Sequence, residues 1–109
     1  KSKFNQDISN WDVSNVEEMK QMFYQSQFDG NISNWDVSNV EDMREMFAYS
    51  IFNGDISNWN VSKVEDMTAM FMNSQFNQDI SMWDVSNVIE YVNIFYNCPI
   101  EEKYKPKFK

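Results

Sequence analysis

Polar side chains that could bind a ligand recur in this chain at a fixed spacing of 24 residues. The first two copies carry an Asn and, two residues later, an Asp, as in Asn10-Trp11-Asp12; the third copy has Asn60 in place of the Asp, and the fourth has Met82 in place of the Asn. If the copies stack, these side chains align into rows of amides and carboxylates, which could recognise a polar ligand or hold divalent cations. The candidate ligand-binding residues are Asn10, Asp12, Asn34, Asp36, Asn58, Asn60, Met82 and Asp84.

A calcium site is the weaker of these two interpretations. Calcium takes six to eight oxygen ligands that converge on one point, and one carboxylate per copy does not supply them. Asn60 also interrupts the carboxylate row. We therefore expect no metal and no cofactor. A second row is expected to accept backbone hydrogen bonds in Asx turns rather than to bind a ligand, and it consists of Asp7, Asn31, Asp55 and Asp79.

Catalytic chemistry finds little support in the sequence. The chain has no His and a single cysteine, Cys98, so it contains neither a thiol–imidazole pair nor an internal disulfide. Cys98 occupies the position of Ser26, Ser50 and Ser74 in the earlier copies, which favours a small residue that closes a turn. We expect that the protein is not an enzyme.

Two spacings within each copy predict the elements that position these rows. Trp11 and Val13 are two residues apart, as in a strand whose alternate side chains face one way. Val16, Met19 and Met22 are three residues apart, which indicates a helical stripe. Ser14 with a Glu three residues later fits the capping box that begins a helix.

A strand and a helix in every copy predict an α/β fold. The expected architecture is a right-handed leucine-rich-repeat-like β/α solenoid of about four 24-residue strand–helix coils, with a parallel sheet on the concave side. The array covers residues 1–98, with copies starting at 4, 28, 52 and 76, and residues 99–109 form a C-terminal capping tail. Columns of Phe, Trp, Val and Met, beginning at Phe4, Trp11, Val13 and Met19, form the predicted core.

The charge distribution excludes two classes of partner. Between Phe4 and Cys98 there are three cations against fifteen carboxylates, a net charge of −12. Such a body repels nucleic acid and anionic membranes, because phosphate binding needs clustered Lys and Arg. No apolar run approaches the roughly 18–20 residues that span a bilayer, so we expect no direct membrane insertion of this segment.

The first copy begins partway through the repeat, at Lys1. This start predicts a segment of a longer array, with any export signal or anchor outside it. It also predicts an uncapped N-terminal coil, open at Phe4 and Trp11, through which the chain could associate end to end.

The unit F-N-x-D-I-S-x-W-D-V-S-N-V-x-x-M-x-x-M-F resembles the repeat of bacterial surface proteins of the BspA-like, mycoplasma-lipoprotein type. The ending CPIEEKYKPKFK is similar to the one that closes many of those arrays. This resemblance implies leucine-rich-repeat-like coils, an extracellular or cell-surface location and a part in adhesion. It implies no catalytic activity.

These observations favour a non-catalytic, surface-displayed binding module that contacts a host or neighbouring-cell protein or glycan through the concave strand face. The alternative is a structural spacer or a self-assembling unit of a longer surface protein. An acidic decoy for a nucleic-acid-binding protein is a weaker third interpretation, since it depends only on the net charge. Met82 breaks the Asn row, and we expect it either to contact a ligand or to lie beneath the tail.

Overall fold

Regular secondary structure is almost absent from residues 7–108. The structure is a computed structural model that describes residues 7–108. Within this range the one helix is a 3-10 helix, Glu102–Tyr104. Extended pairing in the same range is limited to isolated parallel bridges that join Glu18 to Asp42, Asp42 to Asp66 and Asp66 to Glu90. The predicted right-handed leucine-rich-repeat-like β/α solenoid with a parallel sheet is therefore wrong.

The segment predicted as a strand consists of two consecutive β-turns. The Trp11 N–H donates to the Ile8 carbonyl at 3.1 Å, and the Val16 N–H donates to the Val13 carbonyl at 3.0 Å. The same pairs of turns recur in the later copies. Turns at these positions bring Ile8, Trp11, Val13 and Val16 to one side, so the apolar spacing does not require a strand.

The segment predicted as a helix is a succession of overlapping turns. In the first copy the N–H groups of Met22, Tyr24 and Ser26 donate to carbonyls three residues earlier, at 3.1–3.2 Å. Gln21 and Gln25 have φ of 60° and 55°, a left-handed conformation that a right-handed helix does not tolerate. The Ser14 hydroxyl donates to Asp12 at 2.6 Å and caps no helix, so the predicted capping box is also wrong.

Backbone hydrogen bonds join each copy to the next in one register. We call residues 19–26 and their copies 43–50, 67–74 and 91–98 the ladder segments, and each copy a layer. In the first three ladder segments, every second N–H donates to a carbonyl 23 residues ahead, as from Phe23 to Met46 and from Phe47 to Met70, both at 2.9 Å. The N–H groups between them close the turns. One set of donors thus shapes a layer and the other joins it to its neighbour.

The apolar columns pack between the layers. Phe23, Phe47, Phe71 and Phe95 stack with ring centroids 5.5–5.8 Å apart. The indole N–H groups of Trp35, Trp59 and Trp83 each donate to the Ile carbonyl of the preceding layer, at 3.0 Å. Trp11 in the first described layer is 52% exposed, and Phe4 lies outside the described residues. Stacked aromatic rings therefore supply much of the core.

Residues 99–108 lie against the fourth layer. Ile100 is buried in the core, and the Tyr104 carbonyl accepts the Ile80 N–H at 3.0 Å. The Phe108 ring stacks on Tyr91 with centroids 4.2 Å apart. Met82 remains 88% exposed, so the interpretation that the tail covers it is wrong.

Candidate functional site

The candidate site is the polar surface of the two turns that open each layer. Both turns follow the pattern Asp-apolar-Ser-Asn-apolar, first as Asp7 to Trp11 and then as Asp12 to Val16. The apolar residues at the ends of each turn face the core, which turns the central Ser and Asn toward solvent. Asn10, Asn34 and Asn58 are all exposed, as Met82 is in the fourth layer.

The Asp12 column holds the second turn in shape. Asp12 accepts the Ser14 N–H at 3.0 Å and its hydroxyl at 2.6 Å, and Asp36 accepts the same two groups from Ser38 at the same distances. These hydroxyl and backbone bonds from Ser lower the pKa of both carboxyls. Asn60 and Asp84 each accept one N–H, from Ser62 and Ser86. The side-chain oxygens of this column therefore already accept hydrogen bonds within their own turns.

The Asp7 row plays the same part in the first turn. Asp7 accepts the Ser9 N–H at 3.0 Å and the Ser9 hydroxyl at 2.7 Å, and Asn31 binds Ser33 in the same way. Hydrogen bonds from the backbone and hydroxyl of the following Ser also lower the pKa values of Asp7, Asp55 and Asp79. The predicted Asx turns of this row are confirmed.

Other Asn columns hold neighbouring layers together. The amide N–H groups of Asn39 and Asn87 donate to the Ser14 and Ser62 carbonyls of the preceding layers, at 2.8 and 2.7 Å. The Asn53 side-chain oxygen accepts the Asn77 N–H at 2.7 Å. Each of these side chains bridges two layers.

The Asn10 column differs from these columns. The side chains of Asn10, Asn34 and Asn58 form no hydrogen bond with any residue in 7–108. Of the eight candidate residues, the structure thus places the Asp12 column in local turn bonds and leaves the Asn amides open to solvent. We call Asn10, Asn34, Asn58 and Met82 the Asn face.

An open depression of about 400 Å³ lies at the end of the Asn face. It lies between the third and fourth layers and is lined by Asp55, Ser57, Asn58, Gln78, Asp79 and Met82. Amide, carboxylate and thioether groups meet there, so the depression offers donors, acceptors and one apolar contact.

A row of acidic side chains, Glu18, Asp42, Asp66 and Glu90, lies at the bridges between layers. Arg44 lies between two of them: its Nη2 is 3.0 Å from Asp42 Oδ2, and its Nε is 3.4 Å from Asp66 Oδ2. Burial alone would raise the pKa of Asp42, but hydrogen bonds from Arg44 and the charges of Arg44 and Lys20 outweigh it and lower the pKa. In residues 7–108 no group of three or more His, Cys, Asp or Glu side chains could hold a metal ion.

Comparison with known proteins gives the family of the chain. A family model described as "Mycoplasma protein of unknown function, DUF285" matches residues 1–106. The chain belongs to this family. No curated protein and no solved structure matches it. This membership confirms the resemblance to mycoplasma proteins, and it does not extend to the BspA-like part of that resemblance. Among the described residues no helix is long and apolar enough to cross a membrane.

Proposed function

We propose that this member of the DUF285 family is a non-catalytic binding module that contacts a protein or glycan through the Asn face. The observation that carries the proposal is the absence of hydrogen bonds from Asn10, Asn34 and Asn58 to other residues in 7–108. An Asn side chain offers two donors and one acceptor. Within residues 7–108, three such amides at the same position of successive layers hold no turn and bridge no layers.

The turns beneath the Asn face prepare it for binding. Each Asn follows a Ser whose N–H and hydroxyl are held by the Asp or Asn two residues before it, as Ser33 is by Asn31 and Ser57 by Asp55. A backbone fixed in this way loses little conformational freedom when a ligand binds, which favours affinity. The supporting turns therefore serve recognition through rigidity.

The proposed setting is the surface of a bacterial cell. The repeat resembles that of bacterial surface proteins, and the family is a mycoplasma family. A protein or glycan of a host or neighbouring cell is the class of partner that such a location offers. The acidic body, with a net charge of −12 between Phe4 and Cys98, disfavours polyanionic ligands.

The test is a screen of glycan and extracellular-protein arrays with the intact chain and two variants. One variant changes Asn10, Asn34 and Asn58 to Ala. The matched control changes Gln27 and Gln75 to Ala, which are also exposed amides but lie outside the Asn face. We expect the triple variant to lose the ligand found with the intact chain, with an unchanged Tm, and the control to keep it. Undiminished binding by the triple variant would refute the assignment.

A further inference from the structure

The fourth layer ends in an open hydrogen-bonding edge. In the third ladder segment, the N–H groups of Ala69, Phe71 and Asn73 donate to the carbonyls of Val92, Ile94 and Tyr96 at 2.9–3.0 Å. The corresponding groups of the fourth segment belong to Asn93, Phe95 and Asn97. They donate to no acceptor within residues 7–108.

The tail covers the interior of the fourth layer but not this edge. It first follows the path of a further layer, because the Glu101 N–H binds the Asn77 side chain at 3.0 Å as Asn77 binds Asn53. It then crosses toward the core, where Tyr104 pairs with Ile80 and Phe108 stacks on Tyr91. The tail thus reaches the Tyr91 and Phe95 rings of the fourth ladder segment, but no residue within 7–108 accepts the N–H groups of Asn93, Phe95 or Asn97.

At residues 89 and 92 the rim of this edge is apolar where the earlier layers are polar. Ile89 replaces the Glu found at this position in the three earlier layers, and it is 74% exposed. Val92 replaces Lys20, Arg44 and Thr68 and is 61% exposed. Tyr96 is also 61% exposed. Clustered exposed apolar side chains on a small protein mark an interaction surface.

We propose that this edge binds a short peptide segment of a partner protein, which continues the ladder register by the principle of β-augmentation. The open edge comprises Ile89, Val92, Tyr96 and the three free N–H groups. We infer the kind of segment that binds there from the three interfaces between successive layers of the chain. This segment presents carbonyl oxygens at every second residue to the edge and apolar side chains to the rim. At every fourth position it carries a residue that tolerates φ above zero, as Asn73 and Asn97 do.

Charge adds a further requirement on this segment. Lys107 is exposed beside Phe108, whereas Lys105, over the Phe95 ring at 5.4 Å, already pairs with Glu102 at 3.1 Å. An acidic side chain in the segment would complement Lys107. A whole second copy fits the edge less well, because its first layer would meet the tail where it lies over Ile80 and Tyr91.

The probe is an end-blocked peptide of residues 64–74, VEDMTAMFMNS. Within the chain, this segment accepts four backbone hydrogen bonds from the preceding ladder segment, donated by Met43, Glu45, Phe47 and Tyr49 at 2.9–3.0 Å. Amide hydrogen exchange, followed by NMR on the intact chain, gives the position of binding. We expect the amides of Asn93, Phe95 and Asn97 to exchange at least about tenfold more slowly with the peptide and to be unaffected by a scrambled peptide.

A pair of variants distinguishes specific peptide binding at the rim from nonspecific binding to exposed apolar side chains. Changing Ile89→Glu and Val92→Lys installs the residues of the first layer, Glu17 and Lys20, which the same turns already accommodate. We expect this variant to keep its Tm and to bind the peptide at least about tenfold more weakly. The control Met82→Asn replaces another exposed apolar side chain by the residue of its own column and leaves peptide binding unchanged.

Three results would overturn the proposal. They are no peptide binding by the intact chain, undiminished binding by the Ile89→Glu, Val92→Lys variant, or slowed exchange that omits Asn93, Phe95 and Asn97. Without peptide, self-association in sedimentation experiments together with slowed exchange of these three amides would assign the edge to a second copy instead. Because the Asn face lies on different residues, none of these results bears on the proposed function.

Discussion

At the scale of single residues, an Asp followed two residues later by a Ser decides the local conformation. Asp36 accepts both the N–H and the hydroxyl of Ser38, and Asp7, Asp12, Asp55 and Asp79 repeat the arrangement. Two hydrogen bonds to one carboxylate oxygen hold the backbone in a turn that neither a strand nor a helix provides. The repeated Asp-x-Ser pairs are thus the main local determinant of this structure.

Asp36 offers a direct test of this role. We expect Asp36→Ala to lower the Tm by a few degrees, because it leaves the Ser38 N–H and hydroxyl without their acceptor. Asp36→Asn should stay close to the wild-type Tm, since Asn31 holds Ser33 through the same two bonds. Thermal unfolding of the three proteins at neutral pH makes the comparison. Equal losses in both variants would contradict the role of the accepted bonds.

The lowered pKa of Asp36 predicts a pH dependence. A carboxyl whose pKa is lower in the folded than in the unfolded state stabilises the fold above the unfolded pKa, and this stabilisation is lost as the pH falls through the folded pKa. The stability of the wild type relative to Asp36→Asn should therefore fall on acidification from about pH 6 to about pH 3. Urea unfolding of both proteins across this range measures it. A difference that grows on acidification would show that the sign is wrong.

The residue scale also shows what the sequence could reveal. The Asx turns of the Asp7 row were predictable, because Asp-x-Ser is a local signal. The Asp12 row carries the same signal, yet the nearby Trp11–Val13 spacing suggested a strand with an outward Asp. The five-residue pattern Asp-apolar-Ser-Asn-apolar occurs twice in succession, from Asp7 and again from Asp12. This repetition was the feature that distinguished two turns from a strand.

At the scale of elements, one apolar spacing is compatible with two structures. Val16, Met19 and Met22 fit a helical stripe, and they equally fit overlapping turns that bring every third residue to the core. The distinguishing feature is the left-handed residue in every fourth position of a ladder segment. Asn and Gln fill five of these eight positions, but Glu45, Tyr49 and Ala69 hide the pattern, so the sequence did not exclude a helix.

Ala69 tests the left-handed positions. It has φ of 54°, where a side chain is strained, and it is buried, so in Ala69→Gly the relieved strain offsets the lost methyl group and the free energy of unfolding should change by less than about 0.5 kcal/mol. Ala48 is fully buried and is not among the residues with positive φ. Ala48→Gly should destabilise by about 1–2 kcal/mol through backbone entropy and a lost methyl group. Urea unfolding gives both values, and an equal loss of stability in the two variants would refute the left-handed conformation of Ala69.

At the scale of the whole molecule, stacking in register aligns like charges as well as like apolar groups. The rows of Phe and Trp were predictable from the 24-residue period, since any stacked repeat aligns equivalent residues. The open edge at Asn93, Phe95 and Asn97 was not predictable. It depends on which N–H groups point out of the layer and on the path of the tail.

Aligned carboxylates make the stability of the molecule depend on salt. Glu18, Asp42, Asp66 and Glu90 follow one another from layer to layer, and Arg44 pairs with only two of them. Because salt screens their repulsion, the Tm should rise by a few degrees between about 0.02 M and about 0.5 M NaCl. Differential scanning calorimetry measures the change. A falling Tm would mean that attractive ion pairs outweigh repulsion.

The central claim is that the second half of each copy is a ladder segment that bonds to the next layer. A long-range HNCO experiment, which detects the coupling across a hydrogen bond, tests it at the Phe47 amide. Our account predicts a cross-peak between the Phe47 amide nitrogen and the Met70 carbonyl carbon, whose oxygen lies 2.9 Å away. A cross-peak to the Met43 carbonyl, four residues earlier as in an α-helix, would contradict it.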